Sequence, residues 1–75
     1  MIPPISKEVI MLIAQKAARS FGDDSNDRVF YSSNFASVAS DILGVPLLDG
    51  IVVKMILTGR PGIEQLSGDC WQIER

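Results

Sequence analysis

The stretch SNFASVASDILGVPLLDGIVVKMILTGR, residues 33–60, decides the fold because it holds two helical patterns on either side of a glycine. Gly44 predicts the end of the first helix. Pro46 suits either a turn or the first position of the next helix, which we expect to run to about Leu57 and to stop before Gly59 and Pro61. The apolar residues of the first helix recur at helical spacing and predict one buried face: Phe35, Val38, Ala39, Ile42 and Leu43.

Upstream of this stretch, the sequence predicts one more helix and a short strand. Ser6 is a suitable N-cap, Ile5 can pack on Ile10 as a hydrophobic staple, and Gly22 is the expected stop. Residues 29–31, VFY, favour a strand, after which Ser32 or Ser33 would cap the second helix. The predicted buried stripe of the first helix is Ile10, Ile13, Ala14, Ala17 and Phe21.

The C-terminal residues predict a β-hairpin. Gly68 and Asp69 form a favourable two-residue turn. This turn would pair Leu66 with Trp71 and Glu64 with Ile73. Leu66, Trp71 and Ile73 would then share the face that points at the core.

The order helix, short strand, helix, helix, hairpin resembles the winged helix-turn-helix family over most of the chain. The residues that carry the resemblance are FASVASDILGVP, residues 35–46, in which the small Ser40 stands four before Gly44 and Leu43 and Val45 flank that glycine. Members of the family usually have Ala at the position of Ser40, and Ile51 stands one residue later than their packing residue. The resemblance implies a mostly α fold in which the small C-terminal hairpin is the wing. A three-helix bundle with a C-terminal hairpin is the alternative, and in both cases residues 1–75 form a single small domain.

Composition and charge restrict the function. Hydrophobic residues make up 47% of the 75, which is high for a chain with little interior, so we expect some apolar surface to stay exposed for a partner. The net charge of −2 argues against strong non-specific binding to nucleic acid. The chain has no histidine, and Cys70 is its one cysteine, so neither a common general base nor a thiolate metal cage is available. We therefore expect no enzyme activity, cofactor, metal or small-molecule substrate.

The N-terminal residues and the apolar runs predict a cytoplasmic protein. The first apolar run has no basic leader before it, unlike a signal peptide. No run reaches the roughly 18 to 20 apolar residues of a membrane span, and we expect no contact with a membrane.

The third helix is apolar on more than one side, which predicts that something covers it. On a helical wheel Val53 and Leu57 lie opposite the side assigned to the core, with Leu47 near one edge. We therefore expect Leu47, Val53 and Leu57 to form a docking surface, with Lys54 and Arg60 as its polar rim. The residues assigned to the core side are Leu48, Ile51, Val52, Met55 and Ile56.

Two functional hypotheses follow from this surface. The first is a non-enzymatic binding module or small regulator that docks on a protein partner or self-associates as a homo-oligomer through the third helix. The alternative is a DNA-binding winged-helix transcriptional regulator that acts as a dimer, with Lys54 and Arg60 contacting phosphates. Cover by the N-terminal segment and the hairpin of the same chain is the third reading of the apolar helix.

Overall fold

Three helices and a three-stranded antiparallel sheet make up the part of the chain that the computed structural model describes, residues 5–21 and 28–74. The sheet has the strand order β1-β3-β2, so the first strand joins the C-terminal hairpin. The domain is a small, compact α+β unit. Its elements are α1 (Lys7–Phe21), β1 (Val29–Tyr31), α2 (Ser32–Leu43), α3 (Gly50–Leu57), β2 (Ile63–Gln65) and β3 (Cys70–Ile73).

Helix α1 begins where the sequence predicts. Ser6 Oγ accepts a hydrogen bond from the Val9 N–H at 3.3 Å, which is the geometry of an N-cap. Ile5 is half-buried against the core, as a staple requires. The predicted stripe is confirmed for four members, Ile10, Ile13, Ala14 and Ala17, which are buried together with Ala18. Gly22 and the side chain of Phe21 lie outside the described residues.

The start of α2 differs from the prediction that Ser32 or Ser33 caps it. Strand β1 runs directly into the helix, so Tyr31 is both the last strand residue and the N-cap. The Asn34 side-chain oxygen accepts the Tyr31 N–H at 2.9 Å. Ser32 is already helical and its side chain is buried. The end of α2 is as predicted, because Gly44 takes the left-handed conformation at φ +67°.

Helix α3 begins at Gly50, so Pro46 is not its first residue. Residues 45–49 form an irregular connection, and Pro46 lies within it. Asp49 is the N-cap, and its carboxylate accepts the Ile51 N–H at 2.9 Å. The helix ends at Leu57 as predicted.

The hairpin turn is where the sequence predicts, but a bulge precedes it. The Cys70 N–H donates to Ser67 O at 3.4 Å, which places Gly68 and Asp69 at the centre of the turn. The N–H groups of Leu66 and Ser67 both donate to Cys70 O, at 2.8 and 3.3 Å. Two residues therefore oppose one, which defines a β-bulge.

This bulge makes the predicted register wrong by one residue. Trp71 and Ile73 face the core as predicted, but Leu66 is 48% exposed. Ile63 takes its place on the core face, because a shift of one residue moves a side chain to the other side of a strand. The observed pairs are Ile63 with Ile73, Glu64 with Gln72 and Gln65 with Trp71.

The core lies between the helices and the inner face of the sheet. Phe30 and Trp71 are cross-strand neighbours on that face, and both are buried. The ring of Phe30 stacks on Phe35 of α2, with centroids 6.0 Å apart. The sheet and α2 are thereby held in one hydrophobic cluster with α1 and α3.

Candidate docking surface on α3

Helix α3 turns Val53 and Leu57 into the core, so their assignment to a docking surface is wrong. Both side chains are fully buried, and Ile56 between them is buried as well. Ile51 and Met55, which were assigned to the core, are 69% and 62% exposed. The core-side assignment is therefore wrong for Ile51 and Met55, but it is confirmed for Ile56, which is buried, and for Leu48 and Val52, which pack half-buried against the core.

Lys54 and Thr58 are the sequence signal that could have identified the outward side. Ile51, Lys54, Met55 and Thr58 have the spacing i, i+3, i+4 and i+7, so they share one face of a helix. A lysine is seldom fully buried without a charge partner. Its position assigns the face to solvent, and all four residues are exposed.

We call the exposed large apolar residues of α3 and of the connection before it the α3 strip: Leu47, Ile51 and Met55. Leu47 is 70% exposed, as the docking prediction requires of it. It lies in the connection before α3 and lines a groove of about 440 Å³ with Gly50, the first residue of the helix. The other walls of this groove come from the start of α2 and the tip of the hairpin: Tyr31, Ser33, Ala36 and Asp69.

Lys54 borders the α3 strip, and it is paired with the hairpin. Its Nζ lies 3.6 Å from Asp69 Oδ1, and the two side chains are 45% and 68% exposed. An ion pair this exposed contributes at most about 1 kcal/mol to stability. The Asp69 carboxylate offsets the charge of the Lys54 ammonium. The exposed carboxylate of Asp49 at the start of α3 adds a negative charge to this region.

Arg60 does not lie on the rim of the docking surface, where the sequence predicted it. Its Nε donates to Ile56 O at 3.0 Å, so the side chain caps the C-terminal end of α3. It lines a second groove of about 630 Å³ on the side of α1, together with Lys7, Met11 and Leu12. Arg60 therefore does not share the groove that Leu47 lines.

Ser32 holds the hairpin in position beside α3, a role that the sequence did not indicate. Its Oγ accepts a hydrogen bond from Trp71 Nε1 at 2.9 Å, and this bond is buried. Its backbone N–H donates to Asp69 O at 2.9 Å. The residue that pairs with Lys54 is thus fixed through its own carbonyl to the first turn of α2.

The described residues carry little that resembles a catalytic or metal centre. Within 5–21 and 28–74, no three His, Cys, Asp or Glu side chains lie close enough together to hold a metal ion. Cys70 is a free, half-buried thiol. Over the same ranges, no helix has the length and apolar character needed to span a membrane.

Comparisons with known protein families, curated proteins and solved structures found no match to this chain. The function of the surface is therefore inferred from its own geometry and charge.

Proposed function

We propose that this chain is a non-enzymatic, winged-helix-like binding domain that docks on a protein surface through the α3 strip. The observation that carries the proposal is the exposure of Leu47, Ile51 and Met55, at 70, 69 and 62%, within nine consecutive residues. Single exposed apolar residues are ordinary, but Ile51 and Met55 are four residues apart and share one face of α3, and neighbouring exposed apolar side chains are typical of an interaction site. The polar neighbours Lys54 and Thr58 give the group the apolar centre and polar edge of a protein interface.

The order of the elements supports the winged-helix part of the proposal. Three helices are interleaved with three strands as α1, β1, α2, α3, β2, β3, and β1 pairs with β3. In this arrangement the hairpin that follows α3 takes the position of a wing. Ser40 Oγ donates to Val45 O at 2.6 Å, so the serine that stands where the family usually has Ala holds the connection after α2. This connection, residues 44–49, is long for a helix-turn-helix turn.

The charges on α3 favour a protein partner over DNA. Binding to DNA draws much of its affinity from Lys and Arg side chains that neutralise phosphates. On the outward side of α3, Lys54 is the basic residue, and it is paired with Asp69. Arg60 is engaged at the C-terminal end of the helix. A helix that offers Ile51 and Met55 at its centre fits an apolar surface better than the edges of base pairs.

A photo-crosslinking amino acid at position 51 tests this proposal in cells that express the protein. We expect polypeptide adducts at position 51, identified by mass spectrometry. The same amino acid at position 12 is the matched control, because Leu12 is also exposed but lies on α1 in the other groove. Adducts of equal yield at both positions would contradict a docking role for the α3 strip.

A titration with duplex DNA over a range of salt concentrations tests the rival function. A DNA-binding regulator loses affinity steeply as salt rises, and Lys54→Ala would weaken its binding and flatten that dependence. We expect no salt-dependent binding by the wild type. Nucleic-acid adducts at position 51 together with such binding would establish the DNA-binding alternative instead.

A further inference from the structure

The groove beside α1, of about 630 Å³, has the size and the apolar lining of a small-molecule site. Ligand pockets span roughly 300–1,000 Å³ and are lined mainly by apolar side chains. Met11, Leu12 and Pro61 supply such side chains here. Met11 is half-buried against the core, and a Cβ added at Gly62 would lie 3.7 Å from its Cε. The groove therefore lies between α1 and the segment that follows α3.

Two basic side chains with unused hydrogen-bond donors line the same groove. Arg60 is held through its Nε, which donates to Ile56 O at 3.0 Å. Within residues 5–21 and 28–74, its Nη1 and Nη2 atoms have no acceptor, and Lys7 Nζ has no carboxylate within 4 Å. Both side chains can therefore pair with the carboxylate of a ligand, and a guanidinium does so with two parallel N–H groups.

Glu8 is the acidic side chain that lines the groove, and it does not cancel the two basic ones. Lys7 and Arg60 outnumber it, so the lining keeps a net positive charge. Helical spacing also separates the signs. Lys7 and Met11 are four residues apart, in the row of α1 that lies next to Gly62, whereas Glu8 stands in the neighbouring row with Leu12.

The described residues around the groove add positive charge. Lys16 and Arg19 continue the row of Glu8 and Leu12 towards the C-terminal end of α1, and both are exposed. The sheet approaches this region at Glu74, whose N–H donates to Gly62 O at 2.8 Å. Glu74 follows the core-facing Ile73, so its side chain leaves the opposite face of the sheet and does not line the groove.

We propose that this groove binds a small amphipathic carboxylate, an organic acid with an aliphatic body. The aliphatic body packs on Met11, Leu12 and Pro61, and the carboxylate pairs with Arg60, with Lys7 as the second cation. A cationic molecule of the same shape makes the apolar contacts but is repelled by both basic side chains. The site is separate from the α3 strip, so this proposal goes beyond the proposed function and does not depend on it.

An NMR titration of the full chain with sodium octanoate tests the proposal. We expect saturable shifts of the backbone amide signals of residues 7–15, Arg60 and Gly62, and of the Arg60 Nε–H signal. Octyltrimethylammonium is the matched probe, because it carries a tail of similar length and the opposite charge. It should bind at least about fivefold more weakly, the factor that an exposed charge contact contributes.

Two neighbouring substitutions separate charge recognition from unspecific apolar binding. Lys7→Gln should weaken octanoate binding by about two- to fivefold, and Glu8→Gln should strengthen it by a similar factor. Both side chains are exposed in the first turns of α1, so the fold should be kept, which circular dichroism verifies. Lys54→Gln removes a positive charge from the other groove region and should leave the affinity within about twofold.

The proposal is overturned if no saturable shift occurs up to about 10 mM octanoate, which exceeds the dissociation constant expected for a ligand of this size. Equal affinity for the two probes, or the same effect of Lys7→Gln and Glu8→Gln, would also overturn it. Polypeptide adducts at position 12 without octanoate binding would assign the groove to a protein instead. The proposed function fails by a different result, the comparison of adducts at positions 51 and 12, which octanoate binding does not alter.

Discussion

Replacing Leu57 and Met55 by alanine, one at a time, measures which side of α3 faces the core. The two residues are two positions apart on the same helix, and both lose a large apolar side chain. Leu57 is fully buried, whereas Met55 is 62% exposed. Truncation of a buried leucine costs about 2.7–5 kcal/mol, because the lost transfer energy and the cavity add. Truncation of an exposed side chain changes stability by about 0.5 kcal/mol or less.

The expected loss is large compared with the stability of a domain of this size. At about 0.05–0.15 kcal/mol per residue, a chain of 75 residues has roughly 4–11 kcal/mol to lose. A loss of about 3 kcal/mol lowers the Tm of a domain this small by roughly 12–24 °C. Leu57→Ala is therefore expected to lose a large part of the stability of the domain, and Met55→Ala to behave like the wild type.

Urea denaturation followed by tryptophan fluorescence is the suitable assay. Trp71 is the one tryptophan of the chain and is 1% exposed in the folded state, so unfolding changes its environment strongly. Denaturation is measured at low micromolar protein concentration or below. At higher concentration self-association would stabilise the wild type, and Met55→Ala would remove that contribution. The predicted result is a large fall in the midpoint for Leu57→Ala with little change in slope. Equal midpoints for the two variants, or a larger loss for Met55→Ala, would refute the observed orientation of α3.

Two further substitutions test how the hairpin and the connection before α3 are held. Ser32→Ala leaves the buried Trp71 Nε1–H without its acceptor, and we expect this to lower the free energy of unfolding by about 1–3 kcal/mol. Ser33→Ala, at an exposed neighbouring position, is the control. Similar urea midpoints for the two variants would contradict the role of Ser32. In Gly44→Ala the added Cβ has no atom within 4 Å, but the alanine must adopt φ +67°. Calorimetry should therefore show that the free energy of unfolding falls by about 1–2 kcal/mol from backbone strain alone. An unchanged Tm would show that glycine is not needed at this position.

The helices with one apolar side were predictable from the sequence. In α1 and α2 the apolar residues recur at helical spacing and polar residues fill the other side, so the pattern has one solution. Ile10, Ile13, Phe35 and Ala39 are accordingly buried where the pattern places them. Gly44 was predictable too, because a helix that ends in the left-handed conformation favours glycine.

The register of the hairpin was not predictable from its turn. Gly68 and Asp69 were correctly placed at the turn, but the bulge at Leu66 and Ser67 depends on contacts beyond the hairpin. The bulge lets Ile63 face the core beside Ile73. A simple two-residue hairpin would have buried Leu66 in its place. Turn residues specify where a chain reverses, whereas the buried face of the finished sheet determines the register.

Four residues of α3 were assigned to the wrong side, Val53 and Leu57 to the surface and Ile51 and Met55 to the core. Both sides of the helix carry large apolar side chains, so hydrophobicity alone could not choose between them. The choice depends on which side lies against α1, α2 and the sheet, and that information is not local. Lys54 and Thr58 were the only local signal, and they point the correct way. The same ambiguity underlies the function: a helix whose outward side is nearly as apolar as its buried side can be covered on both.

The α3 strip is held by a rigid frame, and this property suits it to binding. Val53, Ile56 and Leu57 anchor the inner side of the helix in the core, so the backbone that carries Ile51 and Met55 is held in place before any partner arrives. The tip of the hairpin is fixed as well, since the Ser32 N–H holds Asp69 by its carbonyl. A surface that is ordered in advance loses little backbone entropy on association, and more of the energy of desolvation is left for affinity. Covering the strip also removes from water the apolar area that folding left exposed, which is why we expect association to strengthen as the temperature rises from near freezing.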